Sequence, residues 1–94
     1  MKTLPLNKRK NGYDYTLIVR GLKSCIYEQR LSENKKHYEV FRIRIQPEKF
    51  FQNKILEAKE CFPHDEAFGN WAWSCFTYEE ALSKWNLIEN NELQ

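Results

Sequence analysis

Phe68-Gly69-Asn70-Trp71-Ala72-Trp73-Ser74-Cys75-Phe76-Thr77-Tyr78-Glu79-Glu80-Ala81-Leu82-Ser83-Lys84-Trp85-Asn86-Leu87-Ile88 is the stretch whose reading decides the fold. It holds all three tryptophans of the 94-residue chain and its clearest helix start. An aromatic strand, Trp71 to Phe76, runs into Thr77, and a helix follows. Its alternation sets Trp71, Trp73 and Cys75 on one face. Thr77 and Glu80 form a T-x-x-E capping box, in which the Thr77 hydroxyl accepts from the Glu80 amide and the Glu80 carboxylate reaches back. Phe76 and Ala81 stand where a hydrophobic staple forms. Tyr78, Ala81, Leu82, Trp85 and Ile88 then recur at helical spacing as one apolar stripe. Glu79 and Glu80 read as first-turn acids that complement the helix dipole, since adjacent helical side chains diverge.

The stripe needs a sheet to close on, and the preceding residues supply one. Tyr13 to Arg20 alternates, with Tyr13, Tyr15, Leu17 and Val19 on one side. Gly21-Leu22 suits a type II′ hairpin turn. Lys23 to Leu31 is a second strand, with Cys25, Tyr27 and Leu31 opposite Ile26. After the polar turn 32–36, His37 to Gln46 is a third strand. Phe41, Ile43 and Ile45 form its buried side, and Tyr38, Val40, Arg42 and Arg44 share the other. Pro47 ends it, lacking the amide that a central ladder needs. Residues 47–62 stay open between two readings. Pro47 fits a first helical position, and Phe51, Ile55, Ala58 and Phe62 fall at helical spacing. Gln52-Asn53 equally fits a turn between two strands. Residues 63–70 are a connecting loop.

Outward again lies residues 1–11, a basic arm in which Pro5 and Asn7 disfavour a helix and Asn11-Gly12 marks a turn. The arm can still pair along a sheet edge. The fold class expected is α+β: an antiparallel sheet of about five strands with one C-terminal helix packed on one face. The whole chain, 1–94, makes a single domain, with the arm at 1–11, the sheet at 12–76 and the helix at 77–90.

Charge is distributed unevenly. Residues 1–59 carry 14 Lys and Arg against 6 Asp and Glu, whereas residues 60–94 carry 1 against 7. The halves complement each other, or the basic one meets a polyanion. The longest aliphatic run, Leu17-Ile18-Val19, is too short to span a bilayer, and no membrane partner is expected. The start of the chain has no apolar signal region. Cys25, Cys61 and Cys75 are odd in number and lack framework spacing, which reads as reduced thiols in a cytoplasmic protein.

Four features carry candidate chemistry. Cys61-Phe62-Pro63-His64 is a C-x-x-H pair that Cys75, Cys25 or His37 would complete for zinc. The second tight ligand pair is missing, so no metal or cofactor is expected. Cys75, two residues before the helix cap, is placed for a lowered pKa, but no glycine-rich oxyanion loop accompanies it, and we expect no enzyme. Arg42 and Arg44 with Tyr38 on one strand face combine phosphate neutralisation with base stacking. Arg20, Arg30 and the arm residues Lys8, Arg9 and Lys10 extend that patch toward single-stranded nucleic acid. Phe50 and Phe51, with Trp71 and Trp73, make the aromatic set for a protein partner or for self-association, because one helix covers only one face of a sheet. The competing reading places Trp71, Trp73 and Trp85 in one core cluster.

The Phe68-Gly69-Asn70-Trp71-Ala72-Trp73-Ser74 segment followed by Thr77-Tyr78-Glu79-Glu80-Ala81, together with Tyr27-Glu28-Gln29 and Tyr38-Glu39-Val40-Phe41, resembles a group of short proteins encoded by phages and mobile elements of gut anaerobes. The similarity spans most of residues 12–88. It implies a hairpin over 47–62, with Gln52-Asn53-Lys54 where the group has a glycine-led turn; Asn53 is able to take the left-handed conformation. The group has no established activity, so the resemblance implies a setting and no catalytic residues. The expected role is a small non-catalytic binding module, with nucleic-acid binding as the alternative.

Overall fold

The computed structural model describes residues 1–92. Five strands form one antiparallel sheet in the order β1 (Asn7–Lys10), β2 (Tyr13–Arg20), β3 (Ser24–Ser32), β4 (Lys35–Arg42) and β9 (Ala72–Cys75). Two short ribbons interrupt the path from β4 to β9: β5 (Ile45–Gln46) pairs with β8 (Lys59–Glu60), and inside it β6 (Lys49–Phe51) pairs with β7 (Lys54–Leu56). The helix α1 (Tyr78–Glu89) closes the chain. The architecture is the α+β fold that the sequence predicts. The five-strand count is met differently, since the arm supplies β1 and the 47–62 hairpin stays out of the main sheet.

The alternating strands bury two faces. On the helix face, Ile26, Val40, Cys75, Ala81 and Ile88 are buried, with Val19, Tyr38, Trp73, Leu82 and Trp85 packed against them. The predicted cap is present: Oγ1 of Thr77 accepts from the Glu80 N–H at 3.1 Å. The staple is not, because Phe76 is 73% exposed and sets its ring edge-on to His37 at 5.0 Å. Glu89 secures the far end of α1. The Glu89 carboxylate accepts from the Leu22 and Lys23 amides at 3.0 Å each and from the Ser24 hydroxyl at 2.5 Å. Gly21 makes room for that carboxylate, since a Cβ there would lie 2.6 Å from it. The expected II′ turn does not form: Gly21 lacks a positive φ, and its N–H closes a longer loop onto the Ser24 carbonyl at 2.8 Å. Its use is space for Glu89 rather than handedness.

The other face is sealed by the chain itself, which corrects the expectation that one sheet face stays open. Leu4, Tyr15, Cys25, Tyr27, Phe41, Ala67 and Ala72 are buried there. Phe62 sits at the centre, edge-on to Tyr15 at 5.1 Å, Tyr27 at 5.0 Å and Phe41 at 5.5 Å, the favourable arrangement for aromatic quadrupoles. The N-terminal segment is bound to β8 by Lys2 N–H to Ala58 O and Glu60 N–H to Lys2 O, both 2.9 Å. Glu60 secures three pieces at once. It takes the Arg20 guanidinium on both carboxylate oxygens, at 2.8 and 2.6 Å, and the Leu4 amide at 2.8 Å.

Two strand details depart from simple alternation. A bulge between Leu17 and Val19 moves Val19 from the face of Tyr15 and Leu17 to the helix face, beside Ile26. Trp71 lies just before β9, and its ring goes to the loop face beside Phe41, at 6.2 Å, while Trp73 and Cys75 stay under the helix. The three tryptophans therefore do not share one cluster. The third strand also stops early, at Arg42, and Ile45 is 54% exposed instead of buried.

Candidate interaction site

Residues 47–62 resolve as ribbons, so the helical reading is overturned. Gln52 and Asn53 both adopt left-handed backbone, φ 50° and 61°, as a two-residue I′-type turn requires. Across it Phe50 pairs with Ile55, and Lys49 with Leu56. Phe50 is 70% exposed, Ile55 69% and Phe51 56%, and all six strand residues are exposed. The centre of the main sheet buries Tyr27 and Phe41 completely, both at 0%. The contrast is a physical one: an isolated two-stranded ribbon has no core beneath it to bury its side chains. Ile55 and Leu56 belong to this surface although sequence reading singled out only Phe50 and Phe51. The signal was present, because a turn at Gln52-Asn53 sets Ile55 opposite Phe50.

The other aromatics proposed for a partner are divided. Trp71 is half-buried, with the Arg44 guanidinium 5.3 Å from its ring and His64 edge-on at 6.0 Å. Trp73 is half-buried beneath α1, with the Lys84 ammonium 5.4 Å from its ring. Trp73 lines a groove of about 630 Å³ between β9 and α1, together with Gly69, Glu80, Lys84 and Leu87.

The candidate nucleic-acid residues do not share one face. Tyr38 packs on the helix face, its ring 5.9 Å from Tyr78. Arg42 and Arg44 line a separate hollow with Trp71. Arg9 is engaged with Asp14 at 2.8 Å. Lys8 and Lys10 stand 5.5 and 5.4 Å from the Phe62 ring, and Lys10 donates to the Pro63 carbonyl at 2.7 Å. They border a groove of about 650 Å³ that Lys2, Lys59 and His64 also line. Lys2 and Lys59 come from the chain start and β8, and no local pattern links them in sequence.

No protein-family model matches the chain, and neither a curated protein nor a solved structure does. Among the described residues no three His, Cys, Asp or Glu side chains gather as a metal set, so Cys61 and His64 are not completed by Cys25, Cys75 or His37. Burial, with Glu80 adding to it, raises the Cys75 pKa, opposite to what a nucleophile needs. Burial pushes the Cys25 thiol further, to about 12. Among the described residues no helix is long and apolar enough to cross a membrane.

Proposed function

We propose that this protein is a non-catalytic binding module whose projecting β6–β7 hairpin docks on a protein partner. The observation that carries this reading is the exposure of Phe50, Phe51 and Ile55 on a ribbon that contributes nothing to the sealed core. An apolar cluster left in water at a tip is costly to solubility and is kept where a partner covers it. Large aromatic anchors are also the side chains that dominate protein interfaces. The setting, a phage or mobile element in the cytoplasm, rests on the F-G-x-W-A-W resemblance and the reduced-thiol reading alone.

A second reading has its own support. Four lysines, Lys2, Lys8, Lys10 and Lys59, border one groove, and its one acid, Glu60, is already neutralised by Arg20. Such a groove suits a phosphate-bearing strand. Affinity capture from lysate, with and without nuclease, separates the two. The hairpin reading predicts a nuclease-resistant protein that Phe50→Ser releases. Capture that nuclease abolishes and Phe50→Ser leaves intact would transfer the function to the lysine groove.

A further inference from the structure

We propose that the open edge of β9 and the groove beside it form a strand-acceptor site, and that the strand it takes is β6 of a second copy of this chain. The inference rests on the hairpin reading and names the partner.

The acceptor follows from the ladder. β9 pairs with β4 on one side and ends the sheet on the other. Arg42 N–H donates to the Trp71 carbonyl at 2.9 Å, within the register that pairs Phe41 with Ala72. Alternation along an antiparallel ladder then turns the amides and carbonyls of Trp73 and Cys75 toward β4, and those of Ala72 and Ser74 outward. The Ala72 carbonyl meets the Gly69 N–H at 2.9 Å. Ser74 is left as the open position, and an open edge is a template for another strand. Beside the same edge lies the groove of about 630 Å³, with Phe68, Trp73 and Leu87 in its apolar lining and Glu80 and Lys84 among its walls. Glu80 stands at the Cys75 end, close enough to act on that thiol.

The donor has the matching pattern. Phe51 and Lys54 flank the two-residue turn and form its hydrogen-bonded pair. The next pair, Phe50 and Ile55, then turns its backbone groups outward. β6 thus offers one outward amide and carbonyl, at Phe50, as β9 does at Ser74. Antiparallel pairing of these two residues sets Phe51 opposite Trp73 and Lys49 opposite Cys75. Side chains alternate across a strand, so Phe51 and Lys49 both fall on the helix side. Phe51 packs against Trp73 and Leu87 once the Lys84 side chain, whose ammonium stands 5.4 Å from the Trp73 ring, swings aside, and the Lys49 ammonium meets the Glu80 carboxylate. One register therefore satisfies the edge, the apolar lining and the charge together. Exchanged reciprocally, it closes a two-fold pair with two such joints.

The test is sedimentation equilibrium of the full chain from about 10 μM to about 1 mM. Wild type is expected to rise above its monomer mass of 11.4 kDa with concentration. Phe51→Ser abolishes the rise, whereas Leu56→Ser, on the other ribbon strand, preserves it. Lys49→Glu and Glu80→Lys each weaken association about tenfold or more, and the double variant recovers to within about threefold of wild type. A loss caused only by damage to the helix start would not be rescued from the distant hairpin. A monomer throughout, a rise that Phe51→Ser leaves unchanged or Leu56→Ser abolishes, or a double variant no better than Glu80→Lys overturns the proposal. A monomeric protein whose hairpin still captures another protein in a Phe50-dependent way removes the second copy as partner and leaves the hairpin reading standing.

Discussion

At the scale of single residues, the fold's tensions sit on its buried carboxylates. Burial pushes the Glu39 carboxyl up to about 7, with Lys10 and the Tyr15 hydrogen bond pulling the other way. In the unfolded chain the same group releases its proton at the ordinary carboxylate value. Between those two values the folded state holds more protons, so stability falls as pH rises from about 4.5 to about 7. Glu39→Gln removes that loss. Denaturant titrations should find the variant about 1–3 kcal/mol more stable than wild type at pH 8 and equal to it at pH 4. A second prediction concerns Gly21. Alanine there must displace the Glu89 carboxylate, and with it the bonds to Leu22, Lys23 and Ser24. We expect Gly21→Ala to cost about 1–3 kcal/mol in thermal or denaturant unfolding. Glu89→Ala should cost a similar amount, and the double variant little more than either, since both break one set of bonds. Neither role is legible from sequence, because Glu89 lies 68 positions from Gly21 and no local pattern links the two.

At the scale of elements, what was legible followed local rules. The α1 cap and stripe were readable from Thr77 to Ile88, and β2 and β3 from period-two alternation. Local rules failed where a tertiary constraint intervened. The bulge at Ile18 reversed the face of Val19, and the Phe62 ring drew the connecting segment across the sheet. The hairpin was the hardest case. Phe51, Ile55, Ala58 and Phe62 fit a helix as well as a ribbon, and only the turn residues tell the two apart. Gln52 and Asn53 both hold positive φ, which is strained for glutamine. Replacing the pair with Asn-Gly (Gln52→Asn with Asn53→Gly) should stabilise the ribbon by about 1 kcal/mol. Limited trypsin digestion reads this directly: cleavage after Lys49 and Lys54 should slow severalfold, while cleavage outside the ribbon keeps its rate.

At the scale of the whole molecule, the sheet is sealed on both faces, by α1 on one and by residues 1–6 and 61–71 on the other. Sequence reading anticipated an uncovered aromatic surface and placed part of it on Trp71 and Trp73. Those rings are half-buried within the fold; Phe76 is exposed as a single ring, whereas the hairpin brings Phe50, Phe51 and Ile55 together in the open. The charge asymmetry also resolves partly inward, as Arg20 of the basic part meets Glu60 of the acidic part at 2.6 Å. What is left is a closed body carrying one short ribbon with nothing packed beneath it, and the functional reading depends on that division. Residue-resolved hydrogen exchange on dilute protein tests it most directly. The account predicts that Tyr27 and Val40 amides, in the sheet centre, exchange only through global unfolding, while the Phe51 and Lys54 amides, paired across the ribbon, exchange orders of magnitude faster. Protection over 49–56 equal to that of β3 and β4 would mean that the ribbon is packed into the body, and would contradict the account.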